Sequence, residues 1–207
     1  LAAYAAEKEK EMKVDVLKVD GIKEALLGMG LSYGLTSDKN IIDMEDAKLA
    51  GRLTKICEKC ARRGNGEDKF LRMIQIWADI TAPRFWWAEF DTYKVGTVAL
   101  SESTMHTLGK RPLEQEDFEG RLPFVLLALL NARTCTPGYT IEAKKELLPE
   151  GFLQRRIVNF NYAVFATMIR QRRNHRLPQW HYFLNKIYYG LPFPEFLPPL
   201  TEEKGKE

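Results

Sequence analysis

The chain has 207 residues, of which 45% are hydrophobic and 29% charged, enough apolar material for one sizeable core and no clear surplus for a second. A formal charge of +3 and a pI near 8.7 are only mildly basic, well short of the cationic excess that announces a nucleic-acid binder. The longest apolar run, Leu122 to Leu130, contains Pro123 and falls far below the roughly 20 residues of a membrane-spanning helix. A single soluble domain is expected. Cys57, Cys60 and Cys135 cannot all pair within one chain, which fits a reducing cytoplasm.

In chain order, Leu1 to Glu11 is rich in Ala, Glu and Lys and reads as a leader or mobile arm ahead of a natural start at Met12. Val14, Val16, Leu17 and Val19 predict a strand over Lys13 to Val19, and Gly21 to Gly30 a short helix closed by glycines. Thr36 to Asn40 is polar and reads as a loop. Asp43 to Arg63 carries a helical apolar stripe that stops at Gly64-Asn65-Gly66. Phe70 to Ile80 is of strand type, and Pro83 opens a helix running to about Lys94. A buried helix is predicted over Leu122 to Ala132, a short one over Ile141 to Leu148 ended by Pro149, and an amphipathic one over Asn159 to Arg173. Gln179 to Tyr189 makes the last helix. Four prolines between Gly190 and Leu200 predict an extended, weakly ordered tail, followed by a charged end.

Three clusters bear chemistry-capable side chains. Cys57 and Cys60 form C-x-x-C late in a helix rather than at its start, where a redox dithiol gains a lowered pKa; helix packing is the favoured role, and zinc would need further ligands from Cys135, His106, His175 or His181. Arg170 to Arg176 gathers four arginines and a histidine at a helix end, either a solvated basic terminus or a phosphate site, since guanidinium forks match phosphate oxygens. Thr81 to Lys94 packs Phe85, Trp86, Trp87 and Phe90 close together, an aromatic group of core type. The hexamer Ser101-Glu102-Ser103-Thr104-Met105-His106 that follows is poorly suited to a core and reads as a ligand-facing loop.

Those segments resemble, in order, the motifs of the flavin-dependent thymidylate synthases, the ThyX family. The family's signature is R-H-R-x-x-S-x-N-E-x-S-x-R-Y. Thr92-Tyr93-Lys94 stands where R-H-R does; after a two-residue insertion, Ser101 to His106 is similar to N-E-x-S-x-R, identical at Glu102 and matching in hydroxyl at Thr104. Ala143 to Pro149 resembles A-R-x-x-L-P, Val158-Asn159 with the helix ending in Arg170 resembles V-N-x-R, and His175 through Gln179-Trp180 is similar to the terminal A-Q-W. The signature arginines are replaced by Thr92, Lys94 and His106, and the arginine of V-N-x-R by Asn161.

The resemblance implies an α+β ThyX-like fold over residues 13–197, with a mixed or antiparallel sheet, several packed helices and a helix-rich C-terminal half. It implies a homotetramer with shared sites that binds or acts on a dUMP-type pyrimidine deoxynucleotide with FAD. By the motif positions, Ser101, Glu102, Ser103, Thr104, His106 and Arg84 would face the nucleotide; Tyr93, Lys94, Asn159, Arg170, His175 and Arg176 would face FAD. A reduced nicotinamide and a folate one-carbon donor enter only if the protein is an active methyltransferase of this type. The other reading of the altered motif is a catalytically silent ThyX-fold protein that binds another nucleotide or a protein partner. Nucleic acid ranks last, on the modest net charge.

Overall fold

A computed structural model describes residues 12–35, 47–132 and 140–201. Four strands, β1 (Lys13–Asp20), β2 (Gln75–Pro83), β3 (Thr97–Ser101) and β4 (Leu153–Asn161), form one sheet in the order β1-β2-β4-β3. Pairing is antiparallel: the Arg84 N–H just past β2 donates to the Phe152 carbonyl just before β4 at 3.1 Å, while Asp79 and Arg155 meet farther along the two strands. In β2 the buried Ile76, Ala78, Ile80 and Ala82 alternate with partly exposed neighbours, the period-two pattern of a sheet with one face in the core. The described α-helices are α1 (Ile22–Ser32), α2 (Ala47–Arg63), α3 (Arg84–Phe90), α4 (Thr104–Thr107), α5 (Phe124–Ala132), α6 (Ile141–Glu146), α7 (Tyr162–Arg172) and α8 (Pro178–Gly190). The α+β class expected from the sequence is the class observed.

The chain divides into two compact units. The first holds the described residues through Val14, Asp79–Lys94 and Ala99–Val158. Leu108, Leu113, Phe118, Leu130, Leu148 and Phe152 make one of its apolar clusters. Trp86, Trp87 and Phe90 pack as a second group, with ring centroids 5.0 to 5.3 Å apart, so these three rings are core, as the composition suggests, while Phe85 is only partly buried.

The second unit holds Asp15–Ala78, Val95–Val98 and the chain from Asn159 onward. Phe160, Phe165, Phe183 and Trp180 interlock there at 5.8 to 6.2 Å between ring centroids. Gly21 at φ +81 leads into α1, and a Cβ on it would collide with the Met73 carbonyl, so only glycine allows the β1 to α1 turn to pass so close. Gly96 at φ +78 would place a Cβ 2.9 Å from Val164 Cγ2. Gly96→Ala should therefore cost about 1–2 kcal/mol, measured by urea denaturation; an unchanged midpoint would contradict the tight approach of this turn to α7.

Several sequence expectations need correction. Phe70 is not in a strand: Lys69–Arg72 is a 3-10 turn that buries Phe70 and Leu71, and β2 starts later and runs to Pro83. The helix expected from Pro83 to Lys94 ends at Phe90, with Pro83 still extended. The helix expected to begin at Asn159 is β4 as far as Asn161, whose side chain then caps α7 by accepting from the Val164 N–H at 3.0 Å. Polar Asn at that point favours a cap over helix interior. The structure adds β3, a strand that none of the sequence expectations covers. The run Leu122 to Ala132 is a helix from Phe124, yet it is not buried: Phe124 is 83% and Val125 68% exposed, while Leu130 is 3% exposed. The proline-rich end is not a loose tail, because Pro194–Phe196 forms a 3-10 turn and Phe196, 2% exposed, packs edge-on against Phe70. The Thr36 to Asn40 loop, the start of the Asp43 helix and Cys135 lie outside the described residues.

Candidate functional site

The hydroxyl-rich hexamer sits where β3 leaves the sheet. Glu102 follows the last strand residue, its N–H donating to the Arg155 carbonyl at 2.9 Å, and the Gln154 amide donates to the Glu102 carbonyl at 3.3 Å. Pairing with β4 thus continues one residue beyond β3 and holds the Glu102 backbone. The single turn α4 follows, with the His106 and Thr107 N–H groups returning to the Ser103 carbonyl at 3.0 and 3.1 Å. Leu108 then drops into the core, 3% exposed, and Lys110-Arg111 emerges.

These residues border a cleft of about 840 Å³ inside the first unit. Glu102, Thr104, Thr107, Lys110 and Arg111 come from the hexamer and the turn after it; Lys13, Thr81, Gln154 and Arg155 come from the strands. Its size falls within the range of small-molecule sites, about 300–1,000 Å³.

Charge in the cleft is organised into pairs. The Arg111 fork grips Asp117 through two hydrogen bonds of 2.6 and 2.8 Å, and Asp117 also accepts the Glu114 N–H at 2.8 Å. Burial pushes the Asp117 carboxyl up, but the Arg111 hydrogen bond and the Glu114 N–H outweigh it and leave the carboxyl below its ordinary value. Arg155 holds Asp79 by a similar fork, with Nε to Oδ1 at 2.9 Å, and that hydrogen bond lowers the Asp79 carboxyl. Both guanidinium groups also feel the Glu102 carboxylate.

A carboxyl with a folded pKa below its unfolded value adds stability above that unfolded value, and the gain is lost as pH falls through the folded value. The melting temperature should accordingly drop on acidification below the ordinary value of 3.8. The drop should be smaller in Asp117→Asn; an identical acid profile in that variant would refute the Arg111–Asp117 contribution.

Beneath the cleft, Lys144 is 1% exposed and its ammonium donates to the Leu108 carbonyl at 2.6 Å. Burial lowers its pKa.

No family model matches this sequence, and no curated protein does. Solved structures do. Thymidylate synthase X (ThyX) from Helicobacter pylori, solved with FAD and dUMP, matches with a TM-score of 0.65 at 14% identity, over 89% of this chain and 95% of its own. PolB from Streptomyces cacaoi, a UMP/dUMP methylase bound with 5-Br dUMP, matches with a TM-score of 0.63 at 11% identity, over 86% of this chain and 89% of its own. The fold is that of the flavin-dependent thymidylate synthases.

Within this ThyX fold the residues singled out by the motifs separate. Glu102 and Thr104 line the cleft. Ser101 and Ser103 are exposed on either side of Glu102, and His106 is exposed on α4 without lining the cleft. Arg84 is turned to internal acceptors, the Leu148 carbonyl at 3.3 Å and the Glu150 carboxylate at 3.5 Å. Tyr93 stacks obliquely near Phe90 at 6.5 Å, and Lys94 is exposed beside it. In the second unit the Asn159 amide donates to the Ile76 carbonyl at 3.1 Å, the work of a strand residue. Arg170 lines a separate cavity of about 430 Å³ with Arg62, Tyr188 and Glu195. The His175 ring lies 6.3 Å from Trp180, its Nδ1 accepting from the Leu177 N–H at 3.2 Å, and Arg176 is exposed.

Arg111, Arg155 and Lys13 carry no local mark of a site, since each stands outside the motif-like segments. One signal was present near Arg155: Val158 and Phe160 alternate with polar Asn159 and Asn161, a strand pattern, while only the sheet order sets that strand between β2 and β3. Cys57 and Cys60 are both buried, and burial together with Cys60 pushes the Cys57 thiol up to about 12, which suits packing and opposes thiolate chemistry. Among the described residues no group of His, Cys, Asp or Glu is placed to hold a metal ion, and no helix is long and apolar enough to cross a membrane.

Proposed function

We propose that this chain binds a pyrimidine deoxynucleotide of the dUMP type together with FAD, as a divergent flavin-dependent thymidylate synthase-like protein. The observation that carries the reading is the coincidence of Glu102 and Thr104 on one large cleft in a fold whose solved examples hold these ligands. The lining suits such ligands: a carboxylate at Glu102 to accept from a ring N–H or sugar hydroxyl, hydroxyls at Thr104 and Thr107, and ammonium groups at Lys13 and Lys110. When bound, a flavin supplies hydride transfer. The chain's part is positioning and charge. Glu102, held by its backbone bonds to β4, fixes the ligand's polar edge, and Ser101 and Ser103 flank it. Arg84 and His106 complete the nucleotide-facing set only through a change of rotamer or of neighbour. Tyr93, Lys94, Asn159, Arg170, His175 and Arg176 are the proposed FAD contacts, with Arg170 supported by its own cavity.

The same reading carries a homotetramer, a cytoplasmic location and, for an active enzyme, a reduced nicotinamide and a folate one-carbon donor. The visible spectrum of the purified protein, before and after addition of FAD, tests it together with a thermal-shift titration of dUMP. A flavin band and a dUMP-dependent rise in melting temperature are expected. A colourless protein that takes up no FAD and shows no shift with dUMP would sink the reading in favour of a ThyX-fold protein for another nucleotide or a protein partner.

A further inference from the structure

The cations of the cleft are of two kinds. Arg111 and Arg155 arrive already neutralised by Asp117 and Asp79. Lys13 and Lys110 line the same cleft and have no carboxylate partner among the described residues. An ammonium group left without a carboxylate partner in a cleft is a ready counter-charge for an anion.

The Arg111 fork adds a preset element. Its two bonds to Asp117, and a third from Nη1 to the Pro112 carbonyl at 2.9 Å, hold the guanidinium plane still. A guanidinium has five N–H donors, so donors remain for a ligand, and a group already immobilised loses little entropy when it binds. Glu102, whose carboxylate also acts on Arg111 and Arg155, supplies an acceptor for the base or sugar beside these cations.

We propose that the phosphate of the ligand is held by Lys13, Lys110 and the Asp117-anchored Arg111. None of these three stands at a motif position, and Thr92, Tyr93 and Lys94 do not line the cleft. The cationic work has moved along the chain to the turn after α4 and to the first residue of β1. This rests on the nucleotide reading above and names the residues that distinguish a nucleotide from its nucleoside.

Calorimetric titrations of dUMP and of deoxyuridine into the full chain test it, with the wild type, Lys13→Ala/Lys110→Ala and Arg111→Lys compared at low and high salt. The wild type should prefer dUMP, and inorganic phosphate should compete with dUMP but not with deoxyuridine. In the double variant the preference should shrink by about tenfold to a hundredfold and depend less steeply on salt, while deoxyuridine affinity stays constant. Arg111→Lys, which keeps the charge and loses the fork, should fall between the two. Both variants change exposed side chains, and circular dichroism checks their folding. An unchanged dUMP preference in the folded double variant would overturn the assignment while leaving the nucleotide reading intact. A wild type that binds neither ligand would remove the nucleotide reading itself.

Discussion

Replacing Trp87 by alanine is expected to remove about 3–5 kcal/mol of stability and to weaken ligand binding with it. The indole is 1% exposed and packs edge-on against Trp86 and Phe90, at 5.0 and 5.3 Å between centroids. Its Nε1 donates to the Gln154 carbonyl at 2.9 Å, and the Arg156 guanidinium lies 4.3 Å above its ring. Arg156 in turn reaches Asp91 at 2.8 Å. Truncation therefore opens a cavity, leaves a carbonyl at the start of β4 without its donor, and loosens the strand that presents Gln154 and Arg155 to the cleft. Trp87→Phe separates the parts: it keeps most of the packing and loses the donor, at a cost of about 1–2 kcal/mol. Urea denaturation followed by circular dichroism measures both. A loss below about 1 kcal/mol in the alanine variant would mean that this ring is not a main support of the first unit.

Lys144→Ala should cost about 2–4 kcal/mol, from the cavity left by a long buried side chain and from an orphaned acceptor at Leu108. Lys144→Met keeps the volume and isolates the polar part. A pH dependence identifies the ammonium. Its folded pKa is lowered by burial from the ordinary 10.5, so between the two values the unfolded chain binds more protons and wild-type stability should rise with pH. Lys144→Met should lack that rise. Equal slopes for the two proteins in the alkaline range would show that the buried lysine does not titrate as its surroundings require. Because Leu108 lines the cleft and follows α4 directly, both variants should also raise the Kd of any ligand that touches Thr104 or Thr107.

Lys144 stands in the segment that resembles A-R-x-x-L-P, and its ammonium is turned to a backbone carbonyl. The Asn159 side-chain amide likewise donates to a backbone carbonyl, that of Ile76. Glu102 and Thr104, in contrast, reach the cleft as their hydroxyl-rich setting suggests. A short polar segment between β3 and the core has few places to go but outward, whereas a residue inside a strand or under a helix takes its direction from whatever packs against it.

What the sequence determined by itself is the part governed by neighbours in the chain: β1, α1, the body of α2 and α8, the buried aromatic run at Trp86 and Trp87, and the exposure of Ser101 to Ser103. Period, glycine stops and polarity act over a few residues, so these could be read without coordinates. Tertiary structure decided the rest. β4 was legible only weakly because Arg155 and Arg156 interrupt its apolar alternation, and their partners Asp79 and Asp91 lie 76 and 65 residues away in sequence. The cleft shows both cases: Arg111 meets Asp117 only six residues along the chain, whereas Arg155 meets Asp79 because the sheet brings distant strands together, which no local pattern can encode.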